Sequence, residues 1–106
     1  LAQAFADSMP FVGHVHLGNC IQKDRSHPLF GDKHVPWGTP GGEYGRDGIV
    51  DFFRQAFACG YLGGTDRPTV SFEMRPYPEL GPERSLDRFF AEFDEAWDAF
   101  RQEDHA

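Results

Sequence analysis

Two short alternating runs, each followed by a helical apolar stripe, constrain this chain more than any other feature. The run FVGHVHL, residues 11–17, puts Phe11, Gly13, Val15 and Leu17 on one face and Val12, His14 and His16 on the other. The run TVSFEM, residues 69–74, sets Val70, Phe72 and Met74 against Thr69, Ser71 and Glu73. From Asp47 onward, Ile49, Val50, Phe52, Phe53, Ala56 and Phe57 recur at helical spacing, and Gly60 stands where a C-terminal cap belongs. Further on, Ser85 is placed to cap a helix whose stripe of Leu86, Phe89, Phe90, Phe93, Trp97 and Phe100 should face the core. Strands alternating with helices predict an α/β fold with a parallel sheet.

Parallel sheets are covered on both faces or closed into a barrel. The two or three helices expected here are too few to cover two strands on both sides, so residues 1–106 are expected to complete the fold only in part. The opening LAQAFADSMP points the same way: it reads as the last turns of an amphipathic helix already under way, stopped by Pro10.

A hydrophobic content of 40% is ample for a core in one domain-sized chain. The formal net charge of −7, with no local basic cluster, sets the chain against a nucleic-acid backbone. No apolar run approaches the roughly 20 residues that span a bilayer, and no signal-peptide pattern is visible. Cys20 and Cys59 lack a CxxC spacing and read as buried or incidental thiols of a reducing compartment, with a single disulfide as the alternative. The expectation is a soluble, cytoplasmic protein.

Its chemistry is concentrated. Four of the five histidines fall between His14 and His34, together with Asp24 and Asp32, and the stretch 18–45 is too long and too rich in Gly and Pro to be a simple connector. Each strand carries an ionisable residue on its polar face near its carboxyl end, His16 on the first and Glu73 on the second. Such a pair can share a divalent cation or hydrogen-bond to itself. Asp32 and His34, spaced i, i+2 in an extended loop, would point to one side of the backbone, as a chelating pair or as solvated loop. His14, one pitch below His16, reads as a hydrogen-bonded residue rather than a ligand. Lys23, His27 and Arg75 are candidates for substrate contact, with a solvated loop or a surface salt bridge as the plain alternative. The Gly-rich run 38–48, ahead of a helix amino terminus, is a place where a phosphate can sit.

Taken in order, HVHLGN, GDKH, GTPGGEYGRDGIVDFF, GYLGG and VSFEM resemble the carboxyl-terminal part of the xylose isomerase-like TIM barrel superfamily, which includes sugar phosphate isomerases/epimerases and endonuclease IV. The resemblance covers roughly residues 5–100. It implies that residues 1–106 are the carboxyl-terminal βα units of one (β/α)8 barrel domain, incomplete in this chain. It implies His16, Asp32, His34 and Glu73 as ligands of a divalent metal (Mn, Zn, Mg or Co), with Glu73 also the catalytic residue, exchanging a proton beside a substrate carbonyl; a second metal held by Asp32 and His34 would instead suit a hydride shift, and both routes stay open. The family's remaining ligands would lie on earlier strands, and HLGN departs from the frequent HLND, which leaves the role of Asn19 open. The implied activity is isomerisation or epimerisation of a ketose or aldose. The implied partner is a small sugar or sugar phosphate, with no nucleic acid and no membrane expected, and with self-association into a homo-oligomer left open. Two alternatives accompany it. One is an endonuclease IV-like phosphodiesterase, for which Lys23, Arg25 and Lys33 are offset by Asp24 and Asp32. The other is a non-catalytic barrel that keeps a structural metal site.

Overall fold

The computed structural model describes residues 2–8, 12–63, 69–76 and 79–103. Pro10, Phe11 and the 64–68 part of the expected turn lie outside the described residues. The elements run α1 (Ala2–Ser8), β1 (Val15–Leu17), α2 (Arg46–Ala58), β2 (Val70–Phe72) and α3 (Gly81–Arg101). This is a mixed α/β arrangement with β1 and β2 paired in parallel, Val15 opposite Val70, His16 opposite Ser71 and Leu17 opposite Phe72.

Both strands are shorter than their alternating runs, and the reason is partner-limited. The ladder opens with the Val15 N–H on the Thr69 carbonyl (3.1 Å) and closes with the Glu73 N–H on the Leu17 carbonyl (2.9 Å). At Gly18 the chain leaves for the long loop, so the next donor on the second strand, the Arg75 N–H, turns to the His34 carbonyl instead (2.7 Å). The two faces divide as the alternation requires over 15–17 and 70–74, whereas Val12, expected beside His14 and His16, packs on the core and Gly13 is exposed. Leu17 is buried, Val15, Val70, Phe72 and Met74 pack on the core, and His14, His16 and Glu73 are exposed.

In α2 the buried residues are Ile49, Val50, Phe52, Phe53 and Ala56. The helix ends at a residue with a left-handed backbone: Gly60 has φ 84°, which glycine adopts without the Cβ penalty, while the Cys59 N–H closes on the Gln55 carbonyl at 3.0 Å.

The third helix departs from expectation at both its start and its face. Pro82 occupies its first turn, where a missing N–H costs nothing, so the helix begins before Ser85 and Ser85 is an interior, fully buried position rather than a cap. Its buried line is Ser85, Phe89, Ala96 and Phe100. Leu86, Phe90 and Trp97 from the expected stripe are exposed at 36%, 46% and 36%. The small side chains at 85 and 96 lie on the buried face, while Phe90 and Trp97, though partly exposed, pack edge-on against Phe72 and Phe53. Phe53 of α2 meets the rings of Phe93, Trp97 and Phe100 at 5.3, 5.2 and 5.7 Å, and Phe72 of β2 stacks on Phe89 at 4.2 Å. Rings offset or edge-on at these separations add about 0.5–1.5 kcal/mol per pair beyond the area they bury.

The long loop is ordered by its own buried residues. Ile21, Val35, Pro36 and Trp37 are almost wholly enclosed, and Ile21 bridges to Phe30 and Gly31. Among the described residues, no helix is long and apolar enough to cross a membrane. Cys20 and Cys59 are free thiols.

Candidate metal centre

Three separate segments converge beyond the carboxyl ends of β1 and β2. His16 leaves the polar face of β1, Glu73 follows β2 by one residue, and Asp32 and His34 come from the loop. Hydrogen bonds already described hold the Glu73 backbone to Leu17 and the His34 backbone to Arg75, so the loop is stitched to the strand that carries the glutamate. A tight turn does the rest. Gly31 has φ 100°, the Lys33 N–H closes on the Gly31 carbonyl at 2.9 Å, and His34 itself adopts φ 50°. A non-glycine residue in that region carries a steric cost that its surroundings must hold in place. Asp32 and His34 therefore meet through a turn and a left-handed residue, where i, i+2 spacing in an extended loop was expected.

The side chains form a connected series. Asp32 Oδ1 lies 3.4 Å from His34 Nε2, His34 Nε2 lies 3.7 Å from Glu73 Oε1, and Glu73 Oε2 lies 3.4 Å from His16 Nδ1. His34 is the most enclosed member at 29% exposure, and Asp32 the least at 88%. Two imidazoles and two carboxylates are a donor set that suits Zn or Mn, so in chemical type the residues fit a divalent cation. Their present contacts are pairwise: among the described residues, no three His, Cys, Asp or Glu side chains are grouped so as to hold a metal ion.

The other sequence-predicted residues stand apart. No hydrogen bond or ion pair among the described residues joins the side chains of Lys23, His27 or Arg75 to the four. Lys23 and Arg75 are exposed, and Arg75 serves the site through its backbone N–H. His27 uses its Nδ1 to accept the Leu29 N–H at 3.0 Å, shaping its own turn. His14 binds hydroxyls: its Nδ1 lies 2.5 Å from Thr69 Oγ1 and its Nε2 3.0 Å from Ser71 Oγ.

Asn19, whose role the sequence left open, is a buried clamp. Its amide donates to the Tyr44 carbonyl (2.8 Å), and its Oδ1 accepts the N–H groups of Cys20 and Tyr44 (3.0 Å each). It thereby closes the loop on itself, fixing where the chain departs from β1. The only cue in the sequence was an amide immediately after the strand, a residue type able to imitate a backbone pairing.

A pocket of about 310 Å³ opens beside β1, between Val15, Leu17, Trp37, Tyr44 and Phe52. Asp51 and Gln55 add polar groups to its wall, and of the four candidate ligands only His16 borders it. It is a gap between β1, the long loop and α2. Comparison with family models, curated proteins and solved structures finds no match for this chain.

Proposed function

We propose that His16, Asp32, His34 and Glu73 hold a divalent metal in a sugar or sugar phosphate isomerase/epimerase, and that residues 1–106 supply the carboxyl-terminal βα units of its TIM barrel. The single observation that carries this reading is the meeting of these four side chains, drawn from segments as far apart as 57 positions, in one series at 3.4–3.7 Å. In a parallel barrel the carboxyl ends of the strands, with the loops that follow them, are where active sites are built. The bound cation would supply Lewis-acid polarisation of adjacent substrate oxygens. Glu73 lies centrally, within reach of both imidazoles, and is placed to exchange a proton with the carbon next to a carbonyl. His34 and His16 would hold that carboxylate in orientation from either side. The acidic balance of the chain, net −7, favours a small sugar over DNA as the substrate, and a cytoplasmic setting goes with the two free thiols.

The test is metal content by elemental analysis, followed by turnover of a panel of ketoses and their phosphates in deuterated water, beside an abasic DNA duplex. The expected result is a bound divalent metal, sugar conversion with solvent deuterium incorporated, and loss of most activity and metal in His16→Ala and in Glu73→Ala. Salt-sensitive abasic cleavage without sugar conversion would assign the phosphodiesterase instead. Metal bound with no turnover of either substrate would leave a structural centre.

A further inference from the structure

The flank of α3 that turns away from the core carries a pattern complementary to itself. At 3.6 residues per turn, Leu86, Phe90, Trp97 and Arg101 fall within a sector of about 60° beside the buried line of the helix, with Asp94 and then Asp87 on its far border. Leu86, Phe90 and Trp97 are each more than a third exposed, and so is Phe57 of α2. Around Trp97 the rings hold one another in place: Phe57 stacks on Phe100 at 5.2 Å and lies 6.2 Å from Trp97. With Arg54, Ala58 and Arg101 they line an open groove of about 570 Å³. One end of the flank thus offers a groove edged by arginine, and the other a half-exposed ring, Phe90, with Asp87 three residues before it. Among the described residues, neither Asp87 nor Arg101 makes a side-chain hydrogen bond or ion pair, whereas Arg46 and Arg54 are both engaged.

We propose that this flank is a two-fold interface between two copies of the chain, with their α3 helices antiparallel. A two-fold contact requires each feature to find its complement on the same patch of the other copy. An axis at the level of Phe93 and Asp94 meets that requirement: it sets Phe90 of one copy in the groove beside Trp97 of the other, and brings Asp87 to Arg101, each contact occurring twice. Arg101 and Asp87 lie on the same border of the sector, and in an antiparallel two-fold pair the same borders face each other. The result is an aromatic centre with charges at its rim, the usual anatomy of a protein interface. The same axis brings Asp94 close to its own counterpart, a like-charge pair that works against association. No residue of α3 belongs to the four candidate metal ligands, so the interface does not depend on the metal-centre reading.

Sedimentation of the chain from micromolar to millimolar concentration should show association that stops at two copies. In a mixture of isotope-labelled and unlabelled chains, an intermolecular nuclear Overhauser contact should join the Phe90 and Trp97 rings, which stand two turns, about 10.5 Å, apart along a single helix. Phe90→Ala, its fold checked by thermal unfolding, should weaken the dimer about 30-fold, the effect of a central aromatic anchor. Asp87→Arg and Arg101→Asp should each weaken it several-fold, the two exchanged together should restore it, and Asp94→Asn should tighten it. A chain that stays monomeric would overturn the proposal and leave the flank to another segment of a barrel. Growth past the dimer, or a double exchange no tighter than the single variants, would overturn it as well. Metal content is unaffected by any of these results and decides the metal-centre reading separately.

Discussion

Along the contact between α2 and α3, Phe53 is enclosed at 4% exposure by rings from three successive turns of α3, whereas at the strand ends His16 and Glu73 meet in solvent through one contact of 3.4 Å, both more than half exposed. The first region is held by area and shape. Its polar margin joins the exposed Arg46 to Glu92 and Glu95 and the exposed Arg54 to Glu103, with Glu92 and Glu103 partly buried, and pairs open to solvent on one side add little to stability. The second is held by directed contacts whose worth depends on what else they can bind. Stability and chemistry are thus separated in space, and the separation predicts that each can be broken with small effect on the other.

The largest effect belongs to the aromatic contact. Phe53→Ala should destabilise the chain by about 3–5 kcal/mol, because the cavity left among Phe93, Trp97 and Phe100 cannot collapse onto a rigid helix face. His16→Ala in metal-free protein should change stability by no more than about 0.5 kcal/mol, as substitutions at exposed positions do. Denaturant unfolding of both variants, monitored by tryptophan fluorescence, measures the contrast directly. Equal losses would mean that the strand-end patch is part of the core after all.

A second prediction falls between the extremes, at a place where directed contacts are partly buried. Asn19→Ala strands the Cys20 and Tyr44 N–H groups and the Tyr44 carbonyl, and a buried group left without a partner costs about 1–3 kcal/mol. A loss of about 2 kcal/mol in urea unfolding is expected, with hydrogen exchange at Tyr44 accelerated more than anywhere in α2. Gly42→Ala should have a similar effect by another route, because a Cβ there would stand 2.8 Å from Asn19 Nδ2.

The same division explains what could be read from the chain before its structure. Period two and period 3.6 in apolar residues report on area burial, so the strands, the parallel α/β order and the extent of α2 were legible. The side assignment along α3 was not: Ser85 and Ala96 line its buried face because they are small, a property that a count of large apolar residues passes over. At the candidate site, His16, Asp32, His34 and Glu73 could be singled out by residue type and order. Their meeting depends on the left-handed backbone of His34, on the Arg75-to-His34 hydrogen bond and on the Asn19 clamp, contacts between distant segments that no local pattern encodes. His14 was legible as a hydrogen-bonded residue, but its partners, the Thr69 and Ser71 hydroxyls, come from a segment 55 positions or more away.

The smallest effect sharpens the comparison by isolating a directed contact with no burial behind it. Asp24, in the long loop, accepts both the hydroxyl and the backbone N–H of Ser26, at 2.6 and 3.0 Å. The Ser26 hydroxyl, followed by its N–H, holds the Asp24 carboxyl below its ordinary value, with His27 adding slightly in the same direction and burial opposing. Because both bonds favour the charged form, the folded carboxylate gives up its proton more readily than the unfolded one. Its contribution to stability is therefore fully present above the unfolded pKa, about 3.9, and is lost as pH falls through the lower folded value. Side-chain carboxyl shifts followed by NMR from pH 6 down to 2 should show Asp24 titrating below the ordinary aspartate range in wild type. Ser26→Ala, which removes the larger of the two bonds and keeps the N–H, should carry it most of the way back without altering the shifts of Phe53 or Phe89. An unchanged Asp24 titration in Ser26→Ala would mean that the turn is held by its backbone alone, through the His27 N–H on the Asp24 carbonyl at 3.2 Å.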